Sequence, residues 1–221
     1  MPIIPQGPES RTPSGNRSPY RKSLINRSHQ ILKMGYDGLD HSSFANCEEE
    51  EITGRLSQAM QDSLEKVNAP LWSKNFSVHE EVPVNDDERE GKRRLRIDIE
   101  VMQHQYGPRP RFRFEAKRLK NADSRNRYLG HNGLGRFLDG RYASTDPDAG
   151  MLGYVQEATV QQHALALGEL LSASNESYAV VPNQGWTDNA VITGLDSFRT
   201  LHNRRNGLPQ IMILHTLLTF C

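Results

Sequence analysis

The sequence predicts an α/β domain in which a mixed β-sheet is flanked by helices and preceded by a disordered N-terminal tail. Residues 94–101 and 111–117 alternate between charged and apolar side chains, which is the period of a half-buried β-strand. Residues 46–67 and 156–172 carry apolar side chains at helical spacing instead. The 221 residues are enough for one domain with a sizeable core.

The first part of the chain, residues 1–40, is predicted to be a flexible basic tail, and residues 41–221 are predicted to form the folded domain. The opening residues are rich in Pro, Ser, Arg and Asn and contain few apolar side chains, a composition typical of disorder. Such a tail is either an electrostatic arm for nucleic acid or an unstructured lead-in.

The folded domain is predicted to open with a helix that begins near Asn46 and ends before Pro70. Its apolar positions, within residues 52–67, lie on one face. Four consecutive glutamates, residues 48–51, fall in its first turn. At about 100° per residue, Glu49 and its neighbour on the N-terminal side lie nearest to the apolar face.

A hairpin is predicted to follow this helix. A first strand over residues 76–84 leads into the acidic turn 85–88, and the two alternating strands then come with a Gly-Pro turn signal at residues 107–108. Two strands joined by so short a loop pair as an antiparallel hairpin. The alternation directs Ile97 and Ile99 into one core.

Later elements complete the predicted sheet. Residues 156–172 form a crossover helix, and residues 211–220 form an apolar strand that is buried on both faces. The glycine-rich segment 130–135, GHNGLG, has no strand before it and no Lys-Ser/Thr after it, so it is not a nucleotide-binding loop.

The hairpin carries a group of residues that indicates chemistry. Glu115 and Lys117 share one face because they are two residues apart, and Asp98 on the paired strand lies beside them. Two hard carboxylate groups suit Mg²⁺ or Mn²⁺. A purely structural alternative is that these residues form the charged outer face of an amphipathic hairpin, where their ion pairs add little to stability.

The order of these residues, Asp98 followed after a spacer by Glu115-Ala116-Lys117, resembles the D…(D/E)xK signature of the PD-(D/E)xK nuclease superfamily. Downstream segments such as Gly135-Arg136-Phe137 are similar to those of bacterial restriction-like and defence-associated nucleases. The resemblance covers about residues 45–221, with Ile97 in place of the motif's proline. It implies a restriction-endonuclease-like mixed central β-sheet flanked by helices.

The resemblance also implies a metal-dependent centre. Asp98, Glu115 and the Ala116 carbonyl are the expected ligands of Mg²⁺ or Mn²⁺, and Lys117 is expected to position or activate the attacking water. Many members add a glutamate from the preceding helix. Glu49 is the preferred candidate for that role here, and the other glutamates of residues 48–51 are the alternatives.

A basic surface surrounds this group. Residues 89–127 contain 13 Lys and Arg against 5 Asp and Glu, although the whole chain has a formal net charge of zero. Such a surface suits a polyanionic substrate. Arg94, Arg96, Arg113 and Arg118 are the predicted nucleic-acid-binding residues.

These features predict a magnesium-dependent deoxyribonuclease that hydrolyses DNA by attack of an activated water. By resemblance, it is an effector of bacterial defence against phage or foreign DNA. RNA is an alternative substrate. The alternative functions are a non-catalytic nucleic-acid-binding or scaffold subunit that keeps the fold, and a nuclease active only with a partner. Cutting both strands of a duplex usually requires two active sites, so the expected protein partner is a second copy or a defence-system protein.

Two cysteines, Cys47 and Cys221, are too few for a disulfide framework and lack the spacing of a zinc site. No apolar run reaches the length of a membrane span, and the first residues lack the apolar core of a signal peptide. The sequence therefore predicts a cytoplasmic protein with no membrane partner.

Overall fold

The computed structural model describes residues 19–84, 94–104 and 109–221. In these ranges the chain forms five α-helices and seven β-strands. The helices are α1 (Pro19–Tyr36), α2 (Glu49–Glu65), α3 (Ala122–Leu129), α4 (Leu134–Leu138) and α5 (Val160–Ala173). The strands are β1 (Phe76–Pro83), β2 (Arg96–Gln103), β3 (Arg111–Leu119), β4 (Asp148–Val155), β5 (Thr187–Asp188), β6 (Asp196–His202) and β7 (Ile211–Thr219).

All seven strands belong to one sheet with the order β1-β2-β3-β4-β7-β6-β5. Strands β1, β2 and β3 pair antiparallel, β4 runs parallel to both β3 and β7, and β6 pairs antiparallel with β7 and with β5. The predicted antiparallel hairpin and the mixed α/β class are both confirmed. Strand β3 is the element at which the sheet changes from antiparallel to parallel pairing.

Helices cover both faces of the sheet. On one face, α1 and α2 pack through residues such as Leu24 and Leu56 against Phe112 and Phe114 of β3. On the other face, Tyr128 and the rest of α3, together with α4 and α5, pack against β4 and β7. Every residue of β4 is buried because both faces of this strand are covered.

Helix α1 corrects the prediction of a flexible tail over residues 1–40, because residues 19–36 are helical and contribute to the core. Leu24, Ile31 and Leu32 are fully buried. The average composition of the segment hid this short apolar face. Residues 1–18 lie outside the described part of the chain, as do the predicted turns at 85–88 and 107–108.

The contact between α1 and α2 is unusually close at one point. A Cβ atom added to Gly35 would lie 2.7 Å from the backbone nitrogen of Met60. Glycine at this position therefore lets the two helix backbones approach each other more closely than any other residue would.

Some element boundaries differ from the predicted ones. Helix α2 begins at Glu49, and Glu48 rather than Asn46 is the residue at its N-cap. The first and last strands lie close to their predicted ranges. Among the described helices, none is long and apolar enough to cross a membrane.

Replacement of Leu24 by alanine should lower the free energy of unfolding by about 2–5 kcal/mol, because it removes buried methyl groups and leaves a cavity. The same change at Leu165 of α5, which is 66% exposed, should alter it by less than about 0.5 kcal/mol. Urea unfolding followed by circular dichroism measures both values. Equal losses in the two variants would contradict the placement of α1 in the core.

Candidate active site

The site begins where β2 separates from β3. The ladder between these strands pairs Met102 with Arg111 at one end and Ile99 with Phe114 at the other. At the next residue of β2, the Oδ2 atom of Asp98 accepts a hydrogen bond of 2.6 Å from the backbone nitrogen of Ala116. The Ala116 nitrogen of β3 therefore bonds to the Asp98 carboxylate, in the place where a continued ladder would give it a backbone carbonyl of β2.

This separation also changes how β2 faces the core. Ile99 packs in the core beneath α1 and α2, whereas Ile97 packs in the core beneath α3, α4 and α5. The prediction that both residues face one core is wrong. Simple alternation fails here because β2 leaves the ladder at Asp98, which lies between them.

Glu115 and Lys117 of β3 point to the same side of the strand, as their spacing predicts. The Nζ atom of Lys117 lies 3.0 Å from Oε1 of Glu115 and donates a hydrogen bond of 2.6 Å to the Ala116 carbonyl oxygen. The side chain of Glu115 is 1% exposed and that of Lys117 is 15% exposed. Lys117 is therefore the cation that compensates a buried carboxylate.

Glu49 is the glutamate of the 48–51 run that reaches this centre. Its Oε1 atom accepts a hydrogen bond of 2.7 Å from Nζ of Lys117, and its Oε2 atom accepts one of 3.0 Å from the backbone nitrogen of Arg118. As the first residue of α2, it also lies in the favourable field of the helix N-terminus. Glu48 instead forms a salt bridge of 2.5 Å with the Arg118 side chain.

Two residues that the sequence analysis did not assign complete the surroundings of Glu115. The Nη1 atom of Arg136 in α4 lies 3.3 Å from Oε1 of Glu115 and also donates to the hydroxyl of Tyr142. That hydroxyl donates in turn to the backbone carbonyl of Arg96 in β2. In the sequence, Arg136 stood out only as part of the segment Gly135-Arg136-Phe137. That segment did not predict a contact between Arg136 and Glu115 of β3.

Burial dominates the electrostatics of the site. Desolvation, followed by the nearby charge of Asp98, raises the pKa of Glu115 to about 8, although Lys117 and Arg136 act in the opposite direction. Desolvation also raises the pKa of Asp98. Burial alone would lower the pKa of Lys117, but Glu115 and Glu49 outweigh it and raise that pKa above its ordinary value. Lys117 is therefore a firmly protonated ammonium group in this arrangement.

The oxygens around Lys117 have the chemistry of a hard-cation site. Two carboxylate oxygens, from Glu49 and Glu115, and the Ala116 carbonyl oxygen all contact its Nζ atom. The second oxygen of Glu115 is buried and has no hydrogen-bond partner within the described residues, which leaves an acceptor for a cation. Across the described ranges, however, no three His, Cys, Asp or Glu side chains are grouped to hold a metal ion.

The predicted nucleic-acid-binding arginines make contacts within the chain. Arg96 pairs with Glu81 at 2.7 Å, Arg113 pairs with Glu100 at 2.9 Å, and Arg118 is held by Glu48. Arg94 lies half-buried just before β2 and also has an interaction partner. Arg96, Arg113 and Arg118 are therefore engaged with carboxylates of the same chain.

Comparison with known proteins gives no family assignment. We find no matching family model, no similar curated protein and no similar solved structure. The resemblance to PD-(D/E)xK nucleases therefore stays a prediction from the residues of the hairpin.

Replacement of Lys117 by methionine should reduce the free energy of unfolding by about 1 kcal/mol more at about pH 9 than at about pH 6. Without the ammonium group, the pKa of Glu115 should rise further above its value of about 8. At the lower pH this carboxyl is protonated in both proteins. At the higher pH only the wild-type protein stabilises its ionised form, so the variant loses more.

Urea titrations at the two pH values measure this difference. Lys33→Met is a matched control because Lys33 forms a surface salt bridge with Asp37 of the same helical region. Its loss should stay below about 0.5 kcal/mol and should be the same at both pH values. A Lys117→Met effect that does not depend on pH would argue against coupling between Lys117 and Glu115.

Proposed function

We propose that this chain is a cytoplasmic, magnesium-dependent endonuclease that hydrolyses DNA phosphodiester bonds by attack of an activated water. The observation that carries the proposal is the approach of Glu49, Glu115 and the Ala116 carbonyl to Lys117, beside Asp98 at the end of the β2–β3 ladder. Carboxylates from two elements and one buried lysine are the groups that metal-assisted hydrolysis uses.

Asp98, Glu115, the Ala116 carbonyl and Glu49 are the groups that hold Mg²⁺ or Mn²⁺ in this proposal. A bound divalent cation supplies a water of lowered pKa and stabilises negative charge on the phosphate. The buried second oxygen of Glu115 supports this assignment because no residue in the described part of the chain donates to it. The Lys117 ammonium group already contacts oxygens of Glu49, Glu115 and Ala116, so this point accepts a cation.

The remaining residues orient the reacting groups. The raised pKa of Lys117 favours the role of a charged hydrogen-bond donor, which positions the water and stabilises the charge that develops on the phosphate. It does not favour the role of a general base. Arg136, held by Tyr142, restrains the Glu115 carboxylate from the opposite side.

One observation favours a nuclease that needs a partner or a trigger. Arg96, Arg113 and Arg118 are engaged in internal salt bridges, so each must exchange a carboxylate for a phosphate before it can contact DNA. A second copy of the chain or a defence-system protein could supply the missing contacts. The scaffold function, the role in defence against phage and the choice of DNA over RNA stay predictions.

Purified protein should nick or cut supercoiled plasmid in Mg²⁺ or Mn²⁺, and EDTA should prevent this cleavage. Asp98→Ala, Glu115→Ala and Lys117→Ala should each lower the rate at least about 100-fold, because each removes a cation ligand or a transition-state donor. Agarose gels of plasmid, linear duplex and single-stranded DNA measure the rates, with a single-stranded RNA as a fourth substrate.

Two neighbouring glutamates of α2 provide a matched control for this experiment. Glu49→Ala should lose activity, whereas Glu51→Ala, which changes an exposed position two residues further along α2, should retain it. Circular dichroism establishes that each variant is folded. Cleavage that survives in the Asp98, Glu115 and Lys117 variants would exclude this centre. Absence of cleavage in every protein, the wild type included, would favour the scaffold or partner-dependent alternatives.

The affinity for Mn²⁺ should rise by about tenfold per pH unit up to about pH 8 and should then level off. The cause is the raised pKa of Glu115, about 8, because a ligand must lose its proton before it binds a cation. Isothermal titration calorimetry between about pH 6 and pH 9 measures this dependence. Glu115→Gln should weaken binding and flatten the profile, whereas Glu51→Gln should not. A wild-type Mn²⁺ affinity that does not change with pH would contradict the prediction that Glu115 binds the cation as a carboxylate.

A further inference from the structure

A cavity of about 260 Å³ opens directly beside the candidate active site. Its lining carries both charges. The acidic side chains come from the start of α2, the basic side chains come from β3 and α3, and the glycine-rich segment 130–135 adds the neutral Asn132. The lining residues are Glu48, Glu49, Glu50, Lys117, Arg118, Arg127 and Asn132. Since Glu49 and Lys117 belong to both, the cavity is continuous with the proposed catalytic centre.

Arg127 differs from the other cations of this cavity. Lys117 is held by Glu49 and Glu115, and Arg118 is held by Glu48. Arg127 lies in the last turn of α3 with an exposed side chain, and within the described ranges it forms no salt bridge. Its guanidinium group is therefore available for an anionic ligand without first releasing a carboxylate.

The glycine-rich segment holds Asn132 at the rim of the same cavity. The backbone nitrogen atoms of Gly133 and Gly135 donate to the carbonyl oxygen of Gly130, at 3.0 and 2.9 Å. A Cβ atom on Gly133 would lie 2.2 Å from the carbonyl oxygen of Tyr128, so this turn packs directly on the end of α3. The backbone that carries Asn132 is thus held against the end of α3, and Asn132 lines the same cavity as Arg127.

Helix α3, which carries Arg127, is anchored by its N-terminal cap and by its buried residues. Helix α3 begins with a capping box in which Asn121 and Ser124 satisfy each other's backbone donors. Tyr128 and Leu129, next to Arg127 in the chain, are buried in the core. The backbone at Arg127 and Asn132 is therefore anchored before a ligand binds, so little backbone entropy is lost on binding.

We propose that Arg127 and Asn132 form a phosphate subsite that binds the nucleic-acid phosphate next to the one that is cleaved. A guanidinium group can bind a phosphate with two parallel hydrogen bonds, and the asparagine amide adds a neutral donor. This inference rests on the proposed function for its substrate class.

Binding without metal tests the subsite separately from cleavage. Fluorescence anisotropy with labelled single-stranded and duplex DNA in EDTA gives Kd over a range of NaCl concentrations. Arg127→Ala should reduce the slope of log Kd against log[salt] by about 0.7 for the single strand and about 0.9 for the duplex. Arg127→Lys should keep the slope, because it keeps the charge. Asn132→Ala should weaken binding without changing the slope.

Arg199 provides the matched control for Arg127. It is also an exposed arginine, but it lies on β6, which β4 and β7 separate from β3. Arg199→Ala should leave both the slope and Kd unchanged. Thermal unfolding of each variant within about 2 °C of the wild type excludes a loss of structure, because both side chains are on the surface.

The outcomes separate this inference from the proposed function. A slope for Arg127→Ala equal to that of the wild type would overturn the subsite. Absence of any wild-type binding to either DNA would overturn both proposals. The expected loss of slope in a protein that cuts no DNA would support the subsite and would count against the nuclease alone.

Discussion

The ammonium group of Lys117 is the interaction on which the rest of the site depends. Burying the Glu115 carboxylate costs several kcal/mol unless an opposite charge and hydrogen bonds compensate for it, and Lys117 supplies both. The same group binds Glu49, so the compensation joins the start of α2 to the middle of β3. A single cation thus connects two elements through residues that are 68 positions apart in sequence.

The sheet provides the place for this cation because of its topology. Strand β3 is antiparallel to β2 on one side and parallel to β4 on the other. On the parallel side both faces of β4 are covered by helices, whereas the antiparallel side separates at Asp98. Where β2 and β3 separate, the Asp98 carboxylate accepts the hydrogen bond of the Ala116 nitrogen. Glu115 and Lys117 therefore stand on a strand whose backbone stays hydrogen-bonded where its neighbour leaves the ladder.

Local patterns predicted the parts of this arrangement that depend on neighbours in sequence. Alternation gave the hairpin and the shared face of Glu115 and Lys117, and the helical angle selected Glu49 from its run. Contacts between distant elements were beyond such patterns. Arg136 reaches Glu115 from another element, and Arg113 reaches Asp146 from outside the hairpin. Helix α1 was missed because composition averages over a segment and does not register the apolar face that packs on α2.

The close contact between Gly35 and Met60 sets how near α2 lies to α1. Met60 is 11 residues from Glu49 in the same helix, a distance of about 16 Å at about 1.5 Å per residue. A side chain larger than glycine at position 35 would press on Met60 and push α2 away from α1. Because Glu49 belongs to the same helix, the smallest residue in α1 bears on the position of an acidic side chain about 16 Å away.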